Sequence, residues 1–204
     1  MKTATLKKAG AAVALVAIVV FGLLLATGNP PEPFGRAGQM PGMMGGTEQV
    51  DSEFDYLTHM IPHHEEAVTT AEAVLQGTER DEMRSFARNI IETQSAEVAQ
   101  MRDWLAAWYP DRDSRVDYEP MMGDLGGLTG DELDQVFLED MIGHHMAAVS
   151  MSQQLLSRGL AEHDPVVAFA RQIRDTQHEE IVQMRTWLRD WFAVRPRGPM
   201  GPRG

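Results

Sequence analysis

Two histidine doublets, His63-His64 and His144-His145, are the residues best suited to chemistry, and each lies in one copy of a repeated segment. The segments, residues 56–68 and 137–149, share the pattern aromatic-Leu-x-x-Met-Ile-x-His-His-x-x-Ala-Val. The doublets contain four of the seven histidines in the chain. Imidazole is a common ligand of transition metals. Cysteine is absent, which excludes disulfides, thiolate metal sites and cysteine nucleophiles.

Four helices are predicted to carry these residues, because apolar side chains recur at helical spacing. Start and stop signals place the helices at about residues 52–76, 78–109, 129–158 and 164–194, with Thr78, Thr129 and Asp164 as N-cap residues. Residues 88–105 and 171–188 share a second repeated pattern. Two helical hairpins with short internal turns predict an all-α, antiparallel four-helix bundle over residues 51–194, with repeat one at 51–109 and repeat two at 129–194.

Polar residues interrupt the apolar faces of the second and fourth helices. Gln94 and Glu97 lie in one face, and Gln177 and Glu180 lie in the other. A buried carboxylate is costly unless it is paired or bound to a metal. The antiparallel register brings these side chains near the levels of His64 and His145, and helical side chains lean towards their own N-terminus. We therefore expect the two sets to meet at the centre of the bundle, with His63 and His144 at the edge of the apolar faces.

Two interpretations of this centre remain open. In the first it is a metal site, whose candidate ligands are His64, His145, Glu97, Glu180, His63, His144, Gln94 and Gln177. In the second it holds two buried His–Glu hydrogen-bonded pairs that set the helix register. A separate hypothesis is that two pairs with i, i+4 spacing each form a two-ligand surface site: His59 with His63, and Asp140 with His144.

Methionine is abundant, and its positions fall into two groups. Met60, Met101, Met141 and Met184 have the spacing of core residues. Met40, Met43, Met44, Met121 and Met122 lie instead in Gly/Pro-rich loops. Thioethers select soft Cu(I), so these loop methionines indicate a capture site for a soft metal. A Met-rich linker without any such role is the alternative.

The N-terminal region predicts export. Lys2, Lys7 and Lys8 precede an apolar run that ends near residue 27, which is typical of a signal peptide or a single membrane anchor. Residues 28–50 form a Pro/Gly/Met-rich linker, and residues 195–204 form a tail that we expect to be disordered. Residues 1–27 contain three of the 18 basic and none of the 30 acidic residues, so the remainder has a formal charge of −15. That charge argues against nucleic-acid binding and suits a protein that attracts cations.

These motifs resemble the exported bacterial family known as domain of unknown function 305. The family pattern is carried by residues 137–149 with 177–188 and by residues 56–68 with 94–105, and the resemblance covers about residues 48–192. It implies a ferritin-like four-helix bundle. It also implies a connection with copper, because some relatives are associated with copper binding and copper tolerance.

The sequence thus predicts an extracytoplasmic, membrane-anchored or secreted protein that binds a transition metal for buffering or tolerance. Copper is the predicted metal, with zinc and iron as alternatives. A di-iron oxidase needs Glu-x-x-His on two helices, whereas this chain has only Asp175-x-x-His178, and Ser95 stands at the other histidine position. No complete catalytic constellation is present, so an enzyme is not predicted. The remaining alternative is a metal-free interaction or dimerisation module that uses Trp104, Trp108, Trp187 and Trp191.

Overall fold

The computed structural model describes residues 49–192, and four α-helices account for most of them. They are α1 (Glu53–Gly77), α2 (Asp81–Trp108), α3 (Gly130–Ser157) and α4 (Asp164–Phe192). No strand occurs in residues 49–192, which confirms the all-α prediction. The predicted signal or anchor, the linker with Met40, Met43 and Met44, and the C-terminal tail lie outside the described residues. No helix within residues 49–192 has both the length and the apolar character needed to cross a membrane.

The helix starts differ from prediction at α2 and at α4, which begins at Asp164 itself rather than after it. Thr78 is the C-cap residue of α1 rather than the N-cap of α2, because its backbone N–H still bonds to the carbonyl of Val74 (2.9 Å). The α2 helix therefore begins at Asp81, with Arg80 as an N-cap that makes no side-chain cap bond. Thr129 is the N-cap residue of α3, but its side chain makes no cap hydrogen bond either. The first turns of both helices contain acidic residues, which interact favourably with the helix dipole.

The helices pack as two hairpins joined along α1 and α3. The α1 helix contacts α2 and α3, and α3 also contacts α4. One core cluster combines the N-terminal halves of α1 and α4 with the C-terminal halves of α2 and α3. A second core cluster combines the four opposite halves, so α1 and α3 run antiparallel. In α1 the first cluster ends at Met60 and the second begins at Ala67, which leaves the histidine doublet between them.

A buried carboxylate closes one end of the bundle. Glu53, in the first turn of α1, is fully buried. Its oxygens accept hydrogen bonds from the hydroxyl of Tyr109 (3.1 Å), the backbone N–H groups of Glu162 (2.7 Å) and His163 (2.9 Å), and Nδ1 of His163 (2.7 Å). The four donors come from the end of α2 and the α3–α4 turn. Glu53 therefore ties both hairpins together at this end.

Candidate metal site in the histidine layer

The two doublets form a single layer between the two core clusters. We call His63, His64, His144 and His145 the histidine layer; their exposed fractions are 1%, 0%, 0% and 0%. Full burial of His63 and His144 was not expected from their position at the edge of the apolar faces. Each of α1 and α3 packs against two neighbours, so the edge positions are buried where α1 meets α3. The proposed surface sites of His59 with His63 and of Asp140 with His144 are wrong for the same reason.

The outer two imidazoles are each held by a carboxylate of the neighbouring helix. Nε2 of His64 lies 2.9 Å from Oε2 of Glu97, and Nε2 of His145 lies 2.8 Å from Oε2 of Glu180. With the Nε2 hydrogen donated to the carboxylate, Nδ1 is the ring nitrogen that bears the lone pair. Both Nδ1 atoms are buried and have no hydrogen-bond partner. A carboxylate on one ring nitrogen and a free lone pair on the other is the usual state of a metal-binding histidine.

The inner two imidazoles contact one another across the α1–α3 interface. The rings of His63 and His144 have centroids 3.6 Å apart and an interplanar angle of 30°. Nε2 of His63 donates to the backbone carbonyl of His144 (3.1 Å), while its Nδ1 has no partner. In His144 neither ring nitrogen makes a well-aligned hydrogen bond, although Nε2 lies 3.3 Å from Oε2 of Glu66. A buried polar group left in this state costs about 1–3 kcal/mol of stability, so the arrangement is unfavourable unless it serves a purpose.

Burial keeps the inner pair neutral. It lowers the pKa of His63 well below the ordinary value, and the neighbouring histidines His144, His64 and His145 lower it further. Burial likewise lowers the pKa of His144 to about 4, although the nearby Glu66 carboxylate opposes the shift. Both side chains are therefore uncharged at neutral pH. A neutral imidazole is the form that binds a metal without first releasing a proton.

Two amides lie in the same region of the bundle. Gln94 and Gln177 are 3% exposed and stand one helical turn before Glu97 and Glu180. Oε1 of Gln94 and both polar side-chain atoms of Gln177 are buried without a partner. The centre of the bundle thus contains several unpaired polar atoms on all four helices. Such groups are rare in a packed core and need an explanation.

Glu66 is a site residue that the sequence analysis missed. Its Oε1 accepts hydrogen bonds from the backbone N–H groups of Met121 and Met122, each 2.8 Å away. Its Oε2 accepts one from the hydroxyl of Tyr118 and lies 3.3 Å from Nε2 of His144. The only sequence signal was a departure from the repeat, because the equivalent position in the second segment is Ala147.

The predicted cage of two histidines and two glutamates around one ion is not formed. Glu97 and Glu180 contact separate imidazoles, and in the part of the chain that the structure describes no three His, Asp or Glu side chains are arranged to hold a metal together. The four tryptophans are also divided. Trp104 stacks on Trp108 (5.5 Å) beside the first core cluster, and Trp187 stacks on Trp191 (4.9 Å) beside the second. They therefore do not form one aromatic patch.

Comparison with known proteins identifies a family and similar solved structures. The model of the family described as domain of unknown function (DUF305) matches residues 53–188. The structure of CopM in the Cu(I)-bound form is 30% identical, with a TM-score of 0.62, over 69% of this chain and 98% of CopM. The Cu(II)-bound form of CopM is 29% identical, with a TM-score of 0.62, over 69% of this chain and 97% of that one.

Two further observations complete the comparison. A DUF305 protein from Streptomyces coelicolor, described as a presumed secreted protein, is 26% identical with a TM-score of 0.61, over 68% of this chain and 91% of that one. A comparison with curated proteins gave no match.

Proposed function

Because the chain belongs to the DUF305 family, we propose that it is an extracytoplasmic protein that binds copper in the histidine layer, for buffering or tolerance. The observation that carries this proposal is the set of four buried imidazoles whose Nδ1 atoms have no hydrogen-bond partner. A purely structural histidine layer would be expected to satisfy these nitrogens. CopM, which shares the fold, is described in Cu(I)-, Cu(II)- and Ag-bound forms.

The donor set favours a soft monovalent ion. The layer supplies neutral imidazoles mainly in pairs, whereas zinc normally takes four ligands in a tetrahedron. Cu(I) and Ag(I) accept fewer ligands, so two imidazoles and one soft donor suffice for them. In this proposal each ion takes two of the layer imidazoles, drawn from His64, His145, His63 and His144, because no three His, Asp or Glu side chains of residues 49–192 are arranged around one point. Gln94 and Gln177 are candidate oxygen ligands for Cu(II).

The carboxylates have a different role from the one that the sequence suggested. Glu97 and Glu180 contact Nε2, on the far side of each ring from the unpartnered nitrogen. We assign them to hold the imidazoles in one tautomer and orientation rather than to touch the ion. Substitution of either residue should weaken binding less than loss of the histidine that it holds.

The location proposed for the protein agrees with this role. The basic start and apolar run of residues 1–27 are those of an export signal or anchor, and the rest of the chain has a formal charge of −15. A strong negative charge raises the local concentration of cations near the surface. The loop methionines Met121 and Met122, with Met40, Met43 and Met44 of the linker, are proposed as weaker capture ligands.

The test combines affinity with spectroscopy of the histidine ring nitrogens. Ag(I), a redox-stable substitute for Cu(I), is titrated while the imidazole ¹⁵N resonances are followed. We expect large shifts for the layer histidines and none for His178, which is exposed on α4. A His64→Ala/His145→Ala variant and a His63→Ala/His144→Ala variant should bind Cu(I) and Ag(I) at least tenfold more weakly, since one lost ligand interaction is worth more than about 1.4 kcal/mol.

The control is His178→Ala, which should bind as the wild type does. Equal binding by the wild type and by a variant that lacks all four layer histidines would overturn the proposal. Parallel titrations with Zn(II) and Fe(II) decide between copper and the two alternative metals.

A second candidate function rests on the two short His–Glu contacts. The pairs His64–Glu97 and His145–Glu180 each join the helices of one hairpin, so they could serve only to set the register of the bundle. In that case Ag(I) and Cu(I) would leave the unfolding free energy unchanged. The unpartnered nitrogens of His144 are not explained by this role.

A further inference from the structure

One carboxylate connects the histidine layer to the loop between α2 and α3. Glu66 projects from α1, two residues after the first doublet, and its side chain is 12% exposed. One oxygen binds the backbone N–H groups of Met121 and Met122, and the other binds the hydroxyl of Tyr118. The second oxygen also faces Nε2 of His144 at 3.3 Å. A single carboxylate group therefore separates the backbone of Met122 from a buried imidazole.

The loop has a second attachment on the neighbouring helix. The backbone N–H of Gly123 donates to Oδ2 of Asp140 (3.0 Å), which lies one turn before His144 on α3. The Met-Met-Gly segment is thus fastened to α1 and to α3 next to the inner imidazole pair. Met122 is half-buried against the second core cluster, and Met121 is 39% exposed.

This connection breaks the internal symmetry of the bundle. The position equivalent to Glu66 in the second repeat is Ala147, so residues 49–192 contain this contact on one face only. The two inner imidazoles differ accordingly. Nε2 of His63 donates to a carbonyl, whereas His144, which faces Glu66, has both ring nitrogens without a hydrogen bond. The most incompletely satisfied histidine of the layer is the one beside the loop.

We propose that Glu66 is a positioning residue that docks the Met121-Met122 segment beside the histidine layer, so that a loop thioether joins His144 in binding a soft monovalent cation. The inference rests on the proposed function and adds to it a third donor, which makes the site selective for soft ions. Thioether sulfur favours Cu(I) over zinc and other harder ions, and methionine side chains are flexible enough to reach a neighbouring site. The selectivity of the site for Cu(I) and Ag(I) would then depend on a residue that touches no metal.

The first arm of the test needs no metal. Backbone hydrogen exchange is measured in metal-free wild type, Glu66→Ala and Glu65→Ala. Alanine stands naturally at the equivalent position of the second repeat, so Glu66→Ala should fold. Glu65 is the matched control, because it is the adjacent residue, is half-buried and pairs with Arg102 of α2 rather than with the loop.

Loss of Glu66 should speed exchange of the Met121 and Met122 amides by about tenfold or more, since each amide loses its hydrogen bond to a charged group. Glu65→Ala should leave both rates unchanged. Unchanged rates for these two amides in Glu66→Ala would overturn the docking role.

The second arm measures selectivity with Ag(I) and Zn(II). We expect Ag(I) to shift the ¹³C-methyl resonance of Met121 or Met122 in the wild type but not in Glu66→Ala. Glu66→Ala and a Met121→Leu/Met122→Leu variant should both bind Ag(I) about tenfold more weakly, with less than a twofold change for Zn(II). If Glu66→Ala lowers the affinities for Ag(I) and Zn(II) equally, the substitution causes a general structural defect, and the inference is overturned.

The outcomes separate this inference from the proposed function. If Ag(I) shifts the histidine ¹⁵N resonances of the wild type but leaves both methionine methyl groups unchanged, the third donor is wrong and copper binding in the layer stands. If the wild type binds neither Ag(I) nor Cu(I), both proposals are wrong.

Discussion

Replacement of His144 by leucine should make the metal-free protein more stable. His144 is fully buried, and its one polar contact, Nε2 with Oε2 of Glu66 at 3.3 Å, is too poorly aligned to be a hydrogen bond. An unsatisfied buried polar group costs about 1–3 kcal/mol, and leucine fills a similar space without that cost. Glu66 keeps its bonds to Tyr118 and to two backbone amides, so the substitution leaves no carboxylate unpaired. We therefore expect the unfolding free energy to rise by about 1–3 kcal/mol.

The matched control is His64→Leu in the same layer. His64 is equally buried, but its Nε2 is paired with the carboxylate of Glu97, whose side chain is only 9% exposed. Removing one partner of a buried pair is strongly destabilising, here by about 3 kcal/mol. Urea unfolding of the metal-free proteins, followed by circular dichroism, should thus place His144→Leu above the wild type and His64→Leu below it.

Metal binding should reverse the stability order of the wild type and His144→Leu. A ligand at a hundredfold excess over its Kd adds about 2.7 kcal/mol to the stability of the protein that binds it. With Ag(I) the wild type should gain this amount, whereas His144→Leu should gain much less. The reasoning is refuted if metal-free His144→Leu is less stable than the wild type by more than about 1 kcal/mol. That result would mean that His144 is a well-accommodated core residue rather than one retained for binding.

Three further predictions concern the metal-free fold. The pKa of His144 is about 4 in the folded protein, so between about pH 6.5 and about pH 4 the unfolded chain binds a proton that the folded protein does not. The unfolding free energy should therefore be at its full value above this window and fall by about 3 kcal/mol across it. Urea titrations of His144→Leu should show a smaller loss. Glu53→Ala leaves four donors without an acceptor and should lower the unfolding free energy by about 3 kcal/mol in urea titrations. Gly77→Ala would place a Cβ 2.7 Å from Cδ2 of Leu133 and should lower the melting temperature, whereas Gly143→Ala has no atom within 4 Å of its Cβ and should raise it.

Features with a local signal were predicted from the sequence. Helical spacing of apolar residues identified four helices, and the recurrence of one pattern identified two similar hairpins. Within a hairpin, counting residues from the short turn placed Glu180 near the level of His145 but Glu97 farther from that of His64, and the lean of helical side chains was expected to shorten the second gap. Both contacts are present. The start of α2 was misplaced because Thr78 is compatible with either helix end, and only the hydrogen bond of its N–H decides between them.

The features that were missed depend on contacts between distant parts of the chain. Burial of His63 and His144 follows from the packing of α1 against α3, and the periodicity of one helix does not reveal how many neighbours cover it. Glu66 meets the loop more than 50 residues later in the chain, and no spacing rule connects the two.

The amino-acid order alone determined which segments are helical and which side chains are available for chemistry, because helix formation and amphipathic patterns depend on neighbours a few residues apart. Tertiary packing decided which of those side chains meet, which nitrogens remain unpartnered and which loop lies beside them. Those outcomes depend on how whole faces fit together, and that fit is a property of the assembled bundle.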